Sequence, residues 1–179
     1  MKLKHFLSRF VAAKKGSAAI EFAIIAPMMV MLLFGSVDLL DVLNANKRVQ
    51  NVASSLADVV ARDTEVSDDE ITGLWAAIDV LMFPSGGDAV NIRISSISIE
   101  SSSIARVVWS EGHGMDARQP GTTVNDLPAG MMNAGTSLII AETEYEYESP
   151  LGFLLEEGVT LRHDAYRRSR LVDPIPRTS

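Results

Sequence analysis

The chain has 179 residues, enough for one folded domain. It has no cysteine, which excludes disulfides, thiolate metal sites and a thiol nucleophile. Residues 1–16 hold five basic side chains and no acid, whereas residues 17–179 hold 11 basic against 23 acidic ones, a net −12 that suits nucleic acid poorly.

The basic residues at the start are Lys2, Lys4, Arg9, Lys14 and Lys15, a cluster that stays cytoplasmic by the positive-inside rule. Residues 17–37 follow with one charged side chain, Glu21. As a helix they would run ~31 Å, close to the ~30 Å hydrocarbon core of a bilayer. The spacing predicts a single pass through the inner membrane, with the remaining chain periplasmic. Hydropathy alone favours an uncleaved signal-anchor. It does not account for Glu21, because a carboxylate at such depth costs roughly 2.5–3.5 kcal/mol on insertion scales and usually has a partner.

Gly16 stands five residues before Glu21, and Phe22 follows directly. A basic stretch, then Gly, then Glu-Phe opening an apolar helix resembles the processing site of type IV prepilins. The run Gly16, Ala19, Glu21, Phe22, Ala23, Pro27, Leu33, Phe34, Gly35 and Asp38 resembles more closely the TadE-like pseudopilins of the tight-adherence (Tad or Flp) pilus. That resemblance implies cleavage by a prepilin peptidase between Gly16 and Ser17. It also implies assembly through Ser17, Glu21, Pro27 and Gly35, with Glu21 of one subunit neutralising the Ser17 amine of its neighbour. The implied partners are sibling minor pseudopilins, the Flp major pilin, the inner-membrane assembly platform and inner-membrane lipid. A minor pseudopilin is expected to help assemble, initiate or cap the pilus. The alternative from the residues is an uncleaved, signal-anchored periplasmic binding module.

Beyond Asp38 the apolar residues thin into a stripe: Leu39, Val42, Leu43, Val49, Val52, Ala53, Leu56, Val59 and Val60. No helix breaker intervenes before Arg62, so one helix is predicted over about 17–62. Pro27 removes one backbone bond, which a membrane helix accommodates. Ser67-Asp68-Asp69-Glu70 has capping-box spacing and opens a second helix to about Met82, with Ile71, Leu74, Trp75, Ile78 and Met82 inward. The acids around it complement a helix N-terminus and lack the calcium-loop pattern.

From Val90 the period becomes two. Val90, Ile92 and Ile94 alternate, and Ile97 and Ile99 resume out of phase, predicting a bulge at Ser95-Ser96. A second strand covers 104–110 with Val107 and Trp109 on one face. The third, 137–148, puts Ile139, Ala141, Thr143, Tyr145 and Tyr147 opposite Glu142, Glu144, Glu146 and Glu148. The fourth, 159–170, offers Arg162, Arg168 and Arg170 as partners for those carboxylates. The expected fold is α+β: a long N-terminal helix, a second helix and an antiparallel meander of about four strands, the general plan of type IV pilins. The resemblance extends to Trp109-Ser110, Leu127-Pro128, residues 138–150 and Arg167-Arg168, while Ser169 departs from it.

Residues 112–135 form a long Gly- and Pro-containing connection. Its Leu127, Met131 and Met132 either tuck onto the core or meet a partner, and Leu151, Phe153 and Leu154 form a second apolar loop suited to docking. The organisation expected is a basic leader (1–16), a membrane half-helix (17–37), a periplasmic α+β head (38–172) and a flexible tail (173–179). His5, His113 and His163 form no ligand pair, and neither a Gly-x-Ser-x-Gly nor a phosphate-binding loop occurs. No cofactor or metal is called for, and a structural subunit is expected rather than an enzyme.

Overall fold

The computed structural model describes residues 15–87, 89–155 and 157–179, so residues 1–14 of the expected leader lie outside the described residues. The element order is α1 (Lys15–Val60), α2 (Asp68–Met82), β1 (Val90–Ser101), β2 (Ile104–His113), a 3-10 turn (Ala129–Met131), β3 (Thr136–Tyr147) and β4 (Val159–Arg168). The fold is α+β, with a four-stranded antiparallel sheet. The chain divides into two compact units. One comprises Met1–Val42 with Ser149–Glu157, and the other Leu43–Glu148 with Gly158–Ser179.

In the larger unit, strand order is β2-β1-β3-β4, which corrects the expected meander: β3 pairs with β1, not with β2. Register along β1 and β3 is unbroken from Val90–Tyr145 to Ile99–Thr136. Side chains therefore alternate strictly, and the phase change after Ile94 is no bulge in β1 toward β3. Ile92 and Ile94 lie on one face, Ile97 and Ile99 on the other, and all four are buried. The extra residue belongs to β2. Register moves between the Ser96–Trp109 and Ile97–Val107 pairs, so Val108 is inserted. Val107 and Trp109 consequently point to opposite faces, contrary to the expectation that they share one.

Both helical pieces of this unit cover the Trp109 face. Asn46 of α1 meets His163 of β4 at 2.8 Å, Arg170 reaches Asp58 at 2.6 Å, and Trp75 of α2 stacks on His113 with centroids 5.4 Å apart. The buried stripe of α1 is Ala45, Val49, Val52, Ala53, Leu56, Ala57 and Val60. Leu43 and Val59, expected inside, are about half exposed at 48% and 50%. Alanines allow the close approach that the larger residues would block. The α2 capping box forms as its spacing predicts, with the Glu70 amide donating to Ser67 Oγ (3.3 Å) and the Ser67 amide to Glu70 Oε2 (2.6 Å).

The opposite face carries a second apolar cluster, Ile97, Ile99, Ala105, Val107, Val124, Leu138 and Ile140. The connection after β2 folds over it: Leu127, Met131 and Met132 pack there half-buried. Its backbone also pairs along β2, with the Val124 amide on the Ala105 carbonyl (2.9 Å) and the Val107 amide on the Thr122 carbonyl (3.0 Å). The end of the chain is likewise tied down, which corrects the expected loose tail. Ile175 is fully buried, its carbonyl accepts the Trp109 indole N–H at 2.8 Å, and Val66 pairs with Arg177.

Candidate functional site

The first unit is built on the apolar part of α1. From Ala18 the helix meets the length and hydropathy of a membrane span. Its large side chains point outward on every side: Phe22 is 68% exposed, Leu32 73% and Met28 62%. A helix apolar all round, with its large side chains from Ile20 to Leu33 left open by the described residues, is unsuited to water and suited to lipid or to other apolar helices. It is a candidate single-pass membrane anchor. Gly16 and Ser17 lie in its first turn, Glu21 one turn further on its exposed surface, and Pro27 lies within the helix. A shallow apolar groove runs between Phe22, Ala26, Met29, Leu33 and Ser36.

Two residues of this stretch break the pattern. Gly35 and Asp38, one turn apart, are buried, and both face the connection between β3 and β4. Asp38 has no exposed surface. One carboxylate oxygen accepts the Ser149 hydroxyl at 2.7 Å, and the other accepts the backbone amides of Phe153 and Leu154, each at 2.8 Å. Ser149 Oγ in turn accepts the Gly152 amide at 3.2 Å. An ionised carboxylate only accepts, so three converging donors match it fully. Gly35 makes room for the same loop, since a Cβ there would lie 3.0 Å from Leu154 Cδ1. Phe34 and Phe153 complete the contact, with ring centroids 6.2 Å apart.

Thus Gly35, expected at an interface between subunits, is occupied by its own chain. Leu151, Phe153 and Leu154 remain 49%, 45% and 60% exposed, whereas Leu127, Met131 and Met132 are engaged with the core. From the sequence Asp38 marks the end of the apolar run and fits the TadE-like pattern, with no partner assigned to it. The available signal was an acid one turn from a glycine at that border, which fits a helix position where something must approach closely and be hydrogen-bonded.

The larger unit holds a separate polar cluster on the sheet face away from the helices. Arg93 grips Glu142 with two bonds of 2.7 and 2.8 Å, and Arg118 adds a second bidentate grip. Burial raises the Glu142 carboxyl, and the bonds from Arg93 and Arg118 together more than offset it, holding it below the ordinary glutamate range. Arg118 also reaches Ser95 Oγ at 3.3 Å, and Arg93 reaches the Asp116 carbonyl at 3.2 Å, so the cluster fastens the covering connection to the sheet. Of the cations expected beside the glutamate row, Arg162 pairs with Glu144 at 3.0 Å. Arg170 instead serves Asp58, and Glu142 draws its partners from β1 and the connection. Both oxygens of Glu142 are held by the two guanidinium groups of the same chain, which is the arrangement of a structural fastening.

Residues 16–58 match the family described as TadE-like protein, about a quarter of the chain. No curated protein and no solved structure matches it significantly. The match covers the exposed apolar helix, Gly35 and Asp38, and ends within the stripe packed on the sheet.

Proposed function

We propose that this chain, which carries a TadE-like segment over residues 16–58, is a minor pseudopilin of a Tad pilus system. In this reading a prepilin peptidase removes residues 1–16, and the exposed apolar helix then serves first as membrane anchor and later as the assembly element. The observation that carries it is the pairing of that match with a helix whose apolar side chains are left open from Ile20 to Phe34. Such a helix is stable in lipid and equally in a bundle of similar helices, so one element suits both states. Cleavage after Gly16 would place the Ser17 amine four residues from Glu21, and the two charges would pair between neighbouring subunits in the low-dielectric core. A desolvated pair of that kind sets register more than it adds stability. The head contributes a folded α+β surface and makes the chain a structural subunit rather than a catalyst.

Mass spectrometry of the protein from cells with and without the peptidase tests this directly. A mature N-terminus at Ser17 is expected only when the peptidase is present, and an intact Met1 in both sinks the proposal. Glu21→Ala is expected to leave membrane insertion unchanged and to abolish pilus formation. The rival, an uncleaved anchored binding module working through residues 112–135, is weakened by the packing of Leu127, Met131 and Met132 onto the core.

A further inference from the structure

The connection between β3 and β4 carries three exposed apolar side chains, and the structure holds them at one level of the membrane helix. Asp38 ties the backbone at Phe153 and Leu154, while Phe153 and Leu154 rest on Phe34 and Gly35. Along a helix, Phe34 lies ~6 Å before Asp38, inside the apolar stretch of residues 17–37. The exposed Leu151, Phe153 and Leu154 therefore stand at the same level of the helix as the exposed Leu33, Phe34, Leu39 and Leu40, and Phe153 adjoins Phe34 directly. Apolar side chains at a membrane border, fixed to a spanning helix, meet the conditions for interfacial insertion to a depth of ~5–10 Å.

We propose that this loop is a second membrane contact, dipping Leu151, Phe153 and Leu154 into the lipid acyl–headgroup boundary of the leaflet at the C-terminal end of the span. The inference rests on the reading of residues 17–37 as membrane-spanning. Its partner is lipid, because the loop stands at the level of a helix surface already committed to lipid. Asp38 is the positioning residue: it spends its charge on the loop, so Asp38 itself is not left as a free carboxylate at the border of the span, and the loop is held in register with the helix. A helix fixed at this border by a rigid side loop has a set depth, and lifting the subunit out of the bilayer must strip lipid from both.

The absence of cysteine allows the test in the full chain. Single cysteines are introduced as Met28→Cys in mid-span, Leu151→Cys on the loop and Ser103→Cys on the β1–β2 turn. Each is nitroxide-labelled and reconstituted in phosphatidylethanolamine/phosphatidylglycerol vesicles, and its collisions with oxygen and with a nickel chelate are compared by electron paramagnetic resonance. The expected order is Met28 richest in oxygen, Leu151 oxygen-favoured at shallow depth, and Ser103 nickel-accessible. Adding Asp38→Asn to Leu151→Cys is expected to raise nickel accessibility at least several-fold, with Met28→Cys unchanged by it. A Leu151 label as nickel-accessible as Ser103, while Met28 remains oxygen-rich, overturns the loop contact and leaves the span standing. A Leu151 label shielded from both reagents means protein covers the loop and also overturns it. Nickel access at Met28 removes the span itself, and the inference with it.

Discussion

A carboxylate without exposed surface needs donors, and Asp38 has three from one short loop. Replacing it by Ala leaves two amides and a hydroxyl without their acceptor, a loss of about 1–3 kcal/mol when such groups stay buried. Asp38→Asn is the sharper change, since its amide group turns one acceptor into a donor facing donors. For either variant the Phe153 and Leu154 amides are expected to exchange about 5- to 150-fold faster with deuterium, while amides of β1 and β3 keep their protection. Glu142 allows a pH argument. Its folded-state carboxyl is held below its unfolded value, so the stabilisation is complete above the unfolded pKa and lost as pH falls through the folded one. Glu142→Gln is expected to cost roughly 2 kcal/mol at neutral pH, in the range for bonds to charged groups. The gap to the parent should narrow as denaturant melts are taken down through the acid range, where the parent's own carboxyl protonates.

Elements followed the sequence where one period ruled one surface. The apolar run, the capping box and the alternation in β3 are all local signals, and each names its element. Strand order and the second core were not legible, because both depend on contacts distant in sequence. Ile97 and Ile99 looked like a strand slipping out of phase, when in fact the far face of the sheet is also apolar and is covered by the 112–135 connection. Alternation shows that a face is buried, not by what. Val124, 7% exposed, and Met131 belong to that cover. Val124→Ala should cost about 1 kcal/mol and Met131→Ala about 1–2 kcal/mol, at the lower end for core truncations because the methionine is half-buried. A chain that merely loops through solvent would show neither loss in urea unfolding. The tail was misread for the same reason: two prolines near the end suggest an extended segment, but not the Trp109 indole waiting for the Ile175 carbonyl. Trp109→Phe keeps an aromatic side chain but is smaller and removes the donor, leaving a buried carbonyl unmatched, so about 1–3 kcal/mol should be lost from the bond alone, with the lost volume adding to it. Amide exchange at Thr178, whose N–H bonds the Val66 carbonyl at 2.8 Å, should rise with it.

Across the whole chain, charge and hydropathy divide along the sequence in one direction. Basic residues gather in 1–16, the uncharged span follows apart from Glu21, and a net −12 is spread over residues 17–179. The unit built on the span takes its material from two distant stretches, Met1–Val42 and Ser149–Glu157, so a cut between Val42 and Leu43 would separate Asp38 from the loop it holds. Constructing the head alone from residue 43 onward therefore leaves Ser149, Phe153 and Leu154 without their acceptor. That truncated chain should keep the β1–β3 protection of the parent and expose the loop to proteolysis. The charge asymmetry predicts an orientation: by the positive-inside rule the lysine- and arginine-rich N-terminal side is expected in the cytoplasm, and acidic side chains present little barrier to export of the rest. With cysteine otherwise absent, Lys4→Cys and Ser103→Cys report the two sides separately. In spheroplasts of cells lacking the prepilin peptidase, which keep residues 1–16, a membrane-impermeant maleimide should label Ser103→Cys and spare Lys4→Cys until the cells are lysed. The reverse pattern would place the acidic domain in the cytoplasm, where neither a periplasmic pilus subunit nor the positive-inside argument could stand.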